Sequence, residues 1–145
     1  MQSTNFSFQI NRPNYSLAYD ARNRNPAWVY EHLTKENIKG EAGRSLEFKE
    51  DDNLPAHLRA TLAYCRGQGF DRGHMAPAAN HRSSAAAMCD TFYMTNICLQ
   101  CPQFNRGYWS KLEKYVRDLT QWYQHVYVNR SFIPTTYRRR WQALY

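Results

Sequence analysis

A chain of 145 residues with 43% hydrophobic side chains suits one domain with a real core. It has no run of eighteen apolar residues, which argues against a membrane-spanning helix, and the opening MQSTNFSFQINRPNYS lacks the apolar centre of a secretory signal. The formal net charge is +7, fourteen of the nineteen basic residues are Arg, and 15% of the chain is aromatic. Arg forks grip phosphates and stack on bases, so this composition points to a polyanionic partner, nucleic acid first.

In chain order, YSLAY (15–19) and AWVYEHL (27–33) are rich in β-branched and aromatic residues, and the polar DARNRNP between them predicts a hairpin with a long turn. Residues 34–58 read mostly as loop, with a short extended piece near SLEF and an acidic cluster at Glu50, Asp51 and Asp52. LRATLAYCRGQGF predicts a helical turn that RGQG closes. SSAAAMCDTFYM, with Ser at the N-cap and Ala after it, predicts a short helix, and TFYMTNICL a buried strand. From Asn105 to Thr120 the pattern is helical: Tyr108, Trp109, Leu112, Tyr115, Val116 and Leu119 recur at three- and four-residue spacing on one face. QHVYV (124–128) is a further strand, and the basic, aromatic segment after it has no clear period. The whole is an α+β pattern.

Four cysteines stand at 65, 89, 98 and 101. CLQC is a C-x-x-C pair, but zinc takes about four ligands and no second tight pair follows, so incidental, mostly buried thiols are the expected reading.

The stretch DRGHMAPAANH (71–81) concentrates the chemistry. A histidine such as His74 can take a proton from water beside a phosphodiester, because an ordinary imidazole pKa lies near neutrality. Phosphodiester cleavage also needs positive charge on the scissile phosphate, which a divalent cation supplies and Arg72 can supplement. DRGH reads as a glycine-rich turn in which Gly73 lets the backbone approach a ligand. A hard cation such as Mg²⁺ keeps several waters and needs only one or two protein oxygens. Asn105 and Glu113 offer them: eight α-helical residues turn roughly 800°, which leaves the two roughly 80° apart. The bland readings are an N-cap for Asn105, an exposed partner of Lys114 or Arg117 for Glu113, and a structural turn for His74.

DRGHMAPAANHRSSAAAMCDTFYMTN resembles the signature segment of the DNA/RNA non-specific endonucleases, the ββα-metal (His-Me finger) nucleases, and NRGYWSKLEKYVRDLT is similar to the helix that follows in them. YSLAYDARNRNPAWVYEHL, FKEDD and FDRGH fit a mitochondrial subfamily in order and spacing, so the resemblance runs over about residues 12–128 of one domain spanning 1–145, with 129–145 as a divergent tail. It implies a mixed sheet with helices and the site in a strand–loop–helix unit. It implies Mg²⁺-dependent hydrolysis of DNA and RNA (Mn²⁺ substituting), a homodimer, and a mitochondrial pool able to reach the nucleus. It assigns His74 as general base, Asn105 as direct metal ligand and Glu113 as a ligand through water. Arg72 contacts the substrate, Asn96 orders the site as part of the catalytic set, Asp71 braces the motif, and His81 is given no chemistry. Family members continue past the strand that QHVYV matches, so the C-terminal part of the fold is expected to be missing. That leaves a second reading, an impaired nuclease acting as a nucleic-acid binder or as partner of an intact subunit.

Overall fold

The computed structural model describes residues 6–43 and 47–131. Part of SLEF and the segment after Ser131 therefore lie outside the described residues. A four-stranded antiparallel sheet has the order β1-β2-β3-β6, from β1 (Ser7–Asn11), β2 (Tyr15–Asp20), β3 (Asn25–Leu33) and β6 (Val126–Ser131). A second, two-stranded antiparallel sheet pairs β4 (Asp71–His74) with β5 (Ile97–Gln100). A parallel bridge, Lys49 with Tyr93, stands apart from both.

The β2–β3 hairpin forms as its composition demands, with Leu17 opposite Val29 and a bulge between Ala18 and Tyr19. Asp20 closes the turn. Its Oδ1 accepts from the Arg22 and Asn23 amides (2.9 and 3.3 Å), and Arg24 takes a positive φ of 53°. β1 lies in a stretch to which the sequence reading assigns no element. Its signal is the alternation of Phe6, Phe8 and Ile10, which pack on the core beside β2. The core itself is Tyr15, Leu17, Tyr19 and Val29 against Met75, Met94 and Ile97.

The loop expected over 34–58 holds a short helix, α1 (Lys35–Ile38), nucleated by a capping box in which Thr34 and Asn37 satisfy each other's backbone amides. Ser84 caps α2 (Ala85–Asp90) as expected, its hydroxyl accepting from the Ala87 amide at 3.0 Å. TFYMTNICL is strand only over its last residues. Thr91 and Asn96 are buried in turns instead, because the Asn96 amide bonds the Thr91 and Ala76 carbonyls (both 2.9 Å) and bends the chain there.

The long helix also departs from the regular form. Phe104–Trp109 is a π-helix, and α3 (Ser110–Leu119) continues it. Leu112, Val116 and Leu119 pack on Leu33, Val126 and Val128. Tyr108 and Tyr115, expected on that face, are 68% and 60% exposed. The wide turn shifts the phase of the residues before it, and the apolar face is narrower than the spacing suggested.

Candidate active site

DRGH is a strand, not the expected glycine-rich turn, and period two puts Arg72 and His74 on one face of β4. Gly73 points the other way. A Cβ there would sit 2.2 Å from Gln100 Cδ, so this glycine makes room for a buried side chain and not for a ligand. The His74 ring packs between Phe48 and Phe92, with centroids 5.6 and 4.9 Å away. Its backbone carbonyl accepts from Trp109 Nε1 at 3.2 Å. Arg72 donates to the Leu62 carbonyl (2.9 Å) and lies over the Phe48 ring, which holds the guanidinium without neutralising it.

The π turn is tied to the same strand. Asn105 Nδ2 donates to Asp71 Oδ2 at 2.9 Å, while Arg106 grips the carboxylate with Nε (2.8 Å) and Nη2 (2.7 Å). Those hydrogen bonds, Arg106 first and Asn105 second, hold the Asp71 carboxyl below its ordinary range. Each π residue turns the chain through less than the roughly 100° of an α residue. The step from Asn105 to Glu113 therefore falls short of the roughly 800° of a regular helix, and the two come closer to one line than the roughly 80° offset expected.

The result is a cleft of about 520 Å³ whose walls include Phe48, Arg72, His74, Asn105, Arg106 and Glu113. Four of the residues singled out in the sequence thus meet although they arise from two separate segments. Asn105 is inside the helix and is not its N-cap. Asn96 does not line the cleft. It is fully buried beneath it, with Oδ1 taking the Ala76 amide at 2.8 Å and Nδ2 giving to two carbonyls. These bonds hold the chain just after His74, at Ala76. Asp71 braces the motif as expected, through Asn105 and Arg106.

Sequence reasoning missed Arg106, although it adjoins Asn105, and it missed a buried charged cluster behind the site. Glu31 accepts from Asn80 Nδ2 (3.0 Å), lies 2.8 Å from His81 Nε2, and pairs with Arg130. Burial alone would push the Glu31 carboxyl up; the His81 hydrogen bond, the Arg130 charge and the Asn80 amide outweigh it, and the group is held below its ordinary range. Arg130 also donates to the Met75 carbonyl (3.2 Å), one residue past His74, so this residue of the stretch read as a divergent tail is tied to the chain beside the site. Among the described cysteine side chains none lines the cleft: Cys98 is buried, Cys89 half-buried and Cys101 exposed.

Among the described residues no cluster of three or more His, Cys, Asp or Glu side chains could hold a metal ion. The donors the cleft does offer are an amide oxygen and a carboxylate, a set that fits a hard, largely hydrated divalent cation. An ionised carboxylate can accept but not donate, so the bond to Asp71 takes the Asn105 Nδ2 and turns Oδ1 away from Asp71.

A family model described as DNA/RNA non-specific endonuclease matches residues 2–134. The chain is 51% identical over 128 residues to mitochondrial endonuclease G of Bos taurus, covering 86% of this chain and 43% of that protein. It is 44% identical over 116 residues to the mitochondrial nuclease EXOG of Homo sapiens (79% and 32%), and 42% identical over 132 residues to nuclease C1 of Cunninghamella echinulata (87% and 52%). A chain in the crystal structure of the EndoG/EndoGI complex superposes with a TM-score of 0.80 at 42% identity, over 83% of this chain and 51% of that one. The chain thus spans about half, or less, of the length of the relatives it matches. With nine-tenths of its length inside the family match and the signature residues around one cleft, the chain belongs to the DNA/RNA non-specific endonuclease family.

Proposed function

We propose that this protein is a Mg²⁺-dependent endonuclease that hydrolyses phosphodiester bonds of DNA and RNA without regard to the sugar. The observation that carries the reading is the shared cleft of His74, Arg72, Asn105 and Glu113. His74 takes the proton of the attacking water. Its imidazole is held by Phe48 and Phe92, and its backbone by Trp109, so the base is fixed before substrate arrives. Arg72, braced by the Leu62 carbonyl, places positive charge on the scissile phosphate. Asn105 would hold the divalent cation directly and Glu113 through water; the cation supplies Lewis-acid stabilisation of the charge that develops on the phosphate. Phe48 and Phe92 limit water on one side of the imidazole. By likeness to relatives named as mitochondrial nucleases, we place the protein in mitochondria; relocation to the nucleus and a homodimer rest on the family resemblance of its motifs alone.

Nicking of supercoiled plasmid with Mg²⁺, with and without EDTA, tests the reading. His74→Ala should lower the rate by at least about 10²-fold, the usual scale for acid–base catalysis, with DNA binding retained. Nicking by His74→Ala at the wild-type rate would sink the assignment.

A further inference from the structure

Asp71 spends both carboxylate oxygens on the π turn. Oδ1 takes Arg106 Nη2, and Oδ2 takes Arg106 Nε and Asn105 Nδ2. The Arg106 side chain is 73% exposed, so packing does not explain its position, and an exposed ion pair adds little to stability.

A terminal amide presents an oxygen and a nitrogen of similar size, and a flip about its last bond exchanges an acceptor for two donors. A cation binds only the oxygen. Whichever group receives the amide N–H therefore decides whether Asn105 is a ligand. Asp71 receives it here, but a carboxylate held by that bond alone would still turn about its own axis. A guanidinium fork supplies two bonds of fixed direction and stops the rotation.

We propose that Arg106 is a positioning residue for the divalent cation: by clamping Asp71 side-on, it fixes the carboxylate that orients the Asn105 amide oxygen toward the metal. The inference rests on the reading of Asn105 as the metal's protein ligand. It is open to a test of sign. Coulomb repulsion alone says that removing a positive charge beside a cation site tightens cation binding. Orientation says that it loosens binding.

Mn²⁺ alone, without nucleic acid, is titrated into the 145-residue chain and the free ion is followed by its EPR signal. Arg106→Ala should raise the Mn²⁺ Kd by about tenfold, the lower end of what groups supporting a metal ligand contribute, with an unchanged urea midpoint. Arg106→Lys keeps the charge but loses the fork, and it should stay weakened. Asn105→Ala should be weaker still. Mn²⁺ binding by Arg106→Ala or Arg106→Lys as tight as wild type, or tighter, while Asn105→Ala is weakened, overturns this inference and leaves the proposed site standing. Wild-type binding that Asn105→Ala does not change overturns the cation site and this inference with it.

Discussion

Replacing Glu31 by Gln should cost the fold about 3–5 kcal/mol, the scale for breaking a buried ion pair by removing one partner. Glu31 is fully buried, and His81 and Arg130 beside it are 1% and 5% exposed, so water cannot replace the lost charge. The Gln oxygen can still accept from Asn80 or His81, but its amide nitrogen is a donor and turns toward the Arg130 guanidinium, also a donor. Against a total stability of roughly 5–15 kcal/mol, that loss lowers Tm by about 10–15 °C in a chain of this size. Urea unfolding at pH 7 with a parallel thermal melt measures it. The pH dependence gives a second reading. The folded carboxyl lies below its ordinary value, so its stabilisation is full above about pH 4.3 and is lost as pH falls through the folded pKa. Glu31→Gln should therefore remove part of the steep acid limb of the wild-type stability curve. Replacing the whole cluster, Glu31→Leu with His81→Leu and Arg130→Met, should cost less than the single change, since no buried charge is stranded. A Glu31→Gln loss under about 1 kcal/mol, with the acid limb unaltered, would refute the argument that these charges are mutually dependent.

Asn105→Ala should lose nearly all nicking activity and Asn105→Asp keep part of it, because the carboxylate restores a hard oxygen; activity persisting in excess EDTA contradicts the metal reading. Affinity for DNA should fall steeply between low and moderate salt and vary little among duplexes of equal length, which filter binding at fixed ionic strength reads directly. Gly107→Ala should stabilise the chain by about 0.5–1 kcal/mol in urea unfolding, since a Cβ there meets nothing within 4 Å.

What could be read from the sequence was local. The β2–β3 hairpin, the Ser84 cap and the helical period after Asn105 each lie within a short window, and so do the types of residue that make DRGH a candidate base. His74, Arg72, Asn105 and Glu113 were candidates by motif and spacing, but only the family resemblance set them above their structural readings; the structure adds that all four line one cleft. Glu31 was no candidate: its partners Asn80, His81 and Arg130 are 49, 50 and 99 residues away, and no local pattern marks a carboxylate whose neighbours arrive only on folding. The exposure of Tyr108 and Tyr115 was hidden for another reason. For Tyr108, counting by three and four assumes a regular α repeat, and the wide turn at Phe104–Trp109 breaks that assumption; Tyr115 lies in regular α3 but at the edge of an apolar face narrower than the spacing suggested.

That turn behaves as one surplus residue lodged in a helix. Were 104–119 to relax into a regular α-helix at constant length, Asn105 would swing roughly 80° out of line with Glu113. Deleting Gly107 instead leaves a step of seven residues from one to the other, roughly 700° of rotation and about 20° short of two full turns. A deletion inside a helix ordinarily rotates everything before it by about 100°; here it would cancel the irregularity and leave both oxygens facing the same cleft. Gly107 is therefore a point at which this helix can change its length by one residue and keep both oxygens on one line, while a one-residue deletion just past Glu113, inside regular α3, would turn Leu112 by roughly 100° against Val116 and Leu119 and break the face they share on Leu33 and Val126.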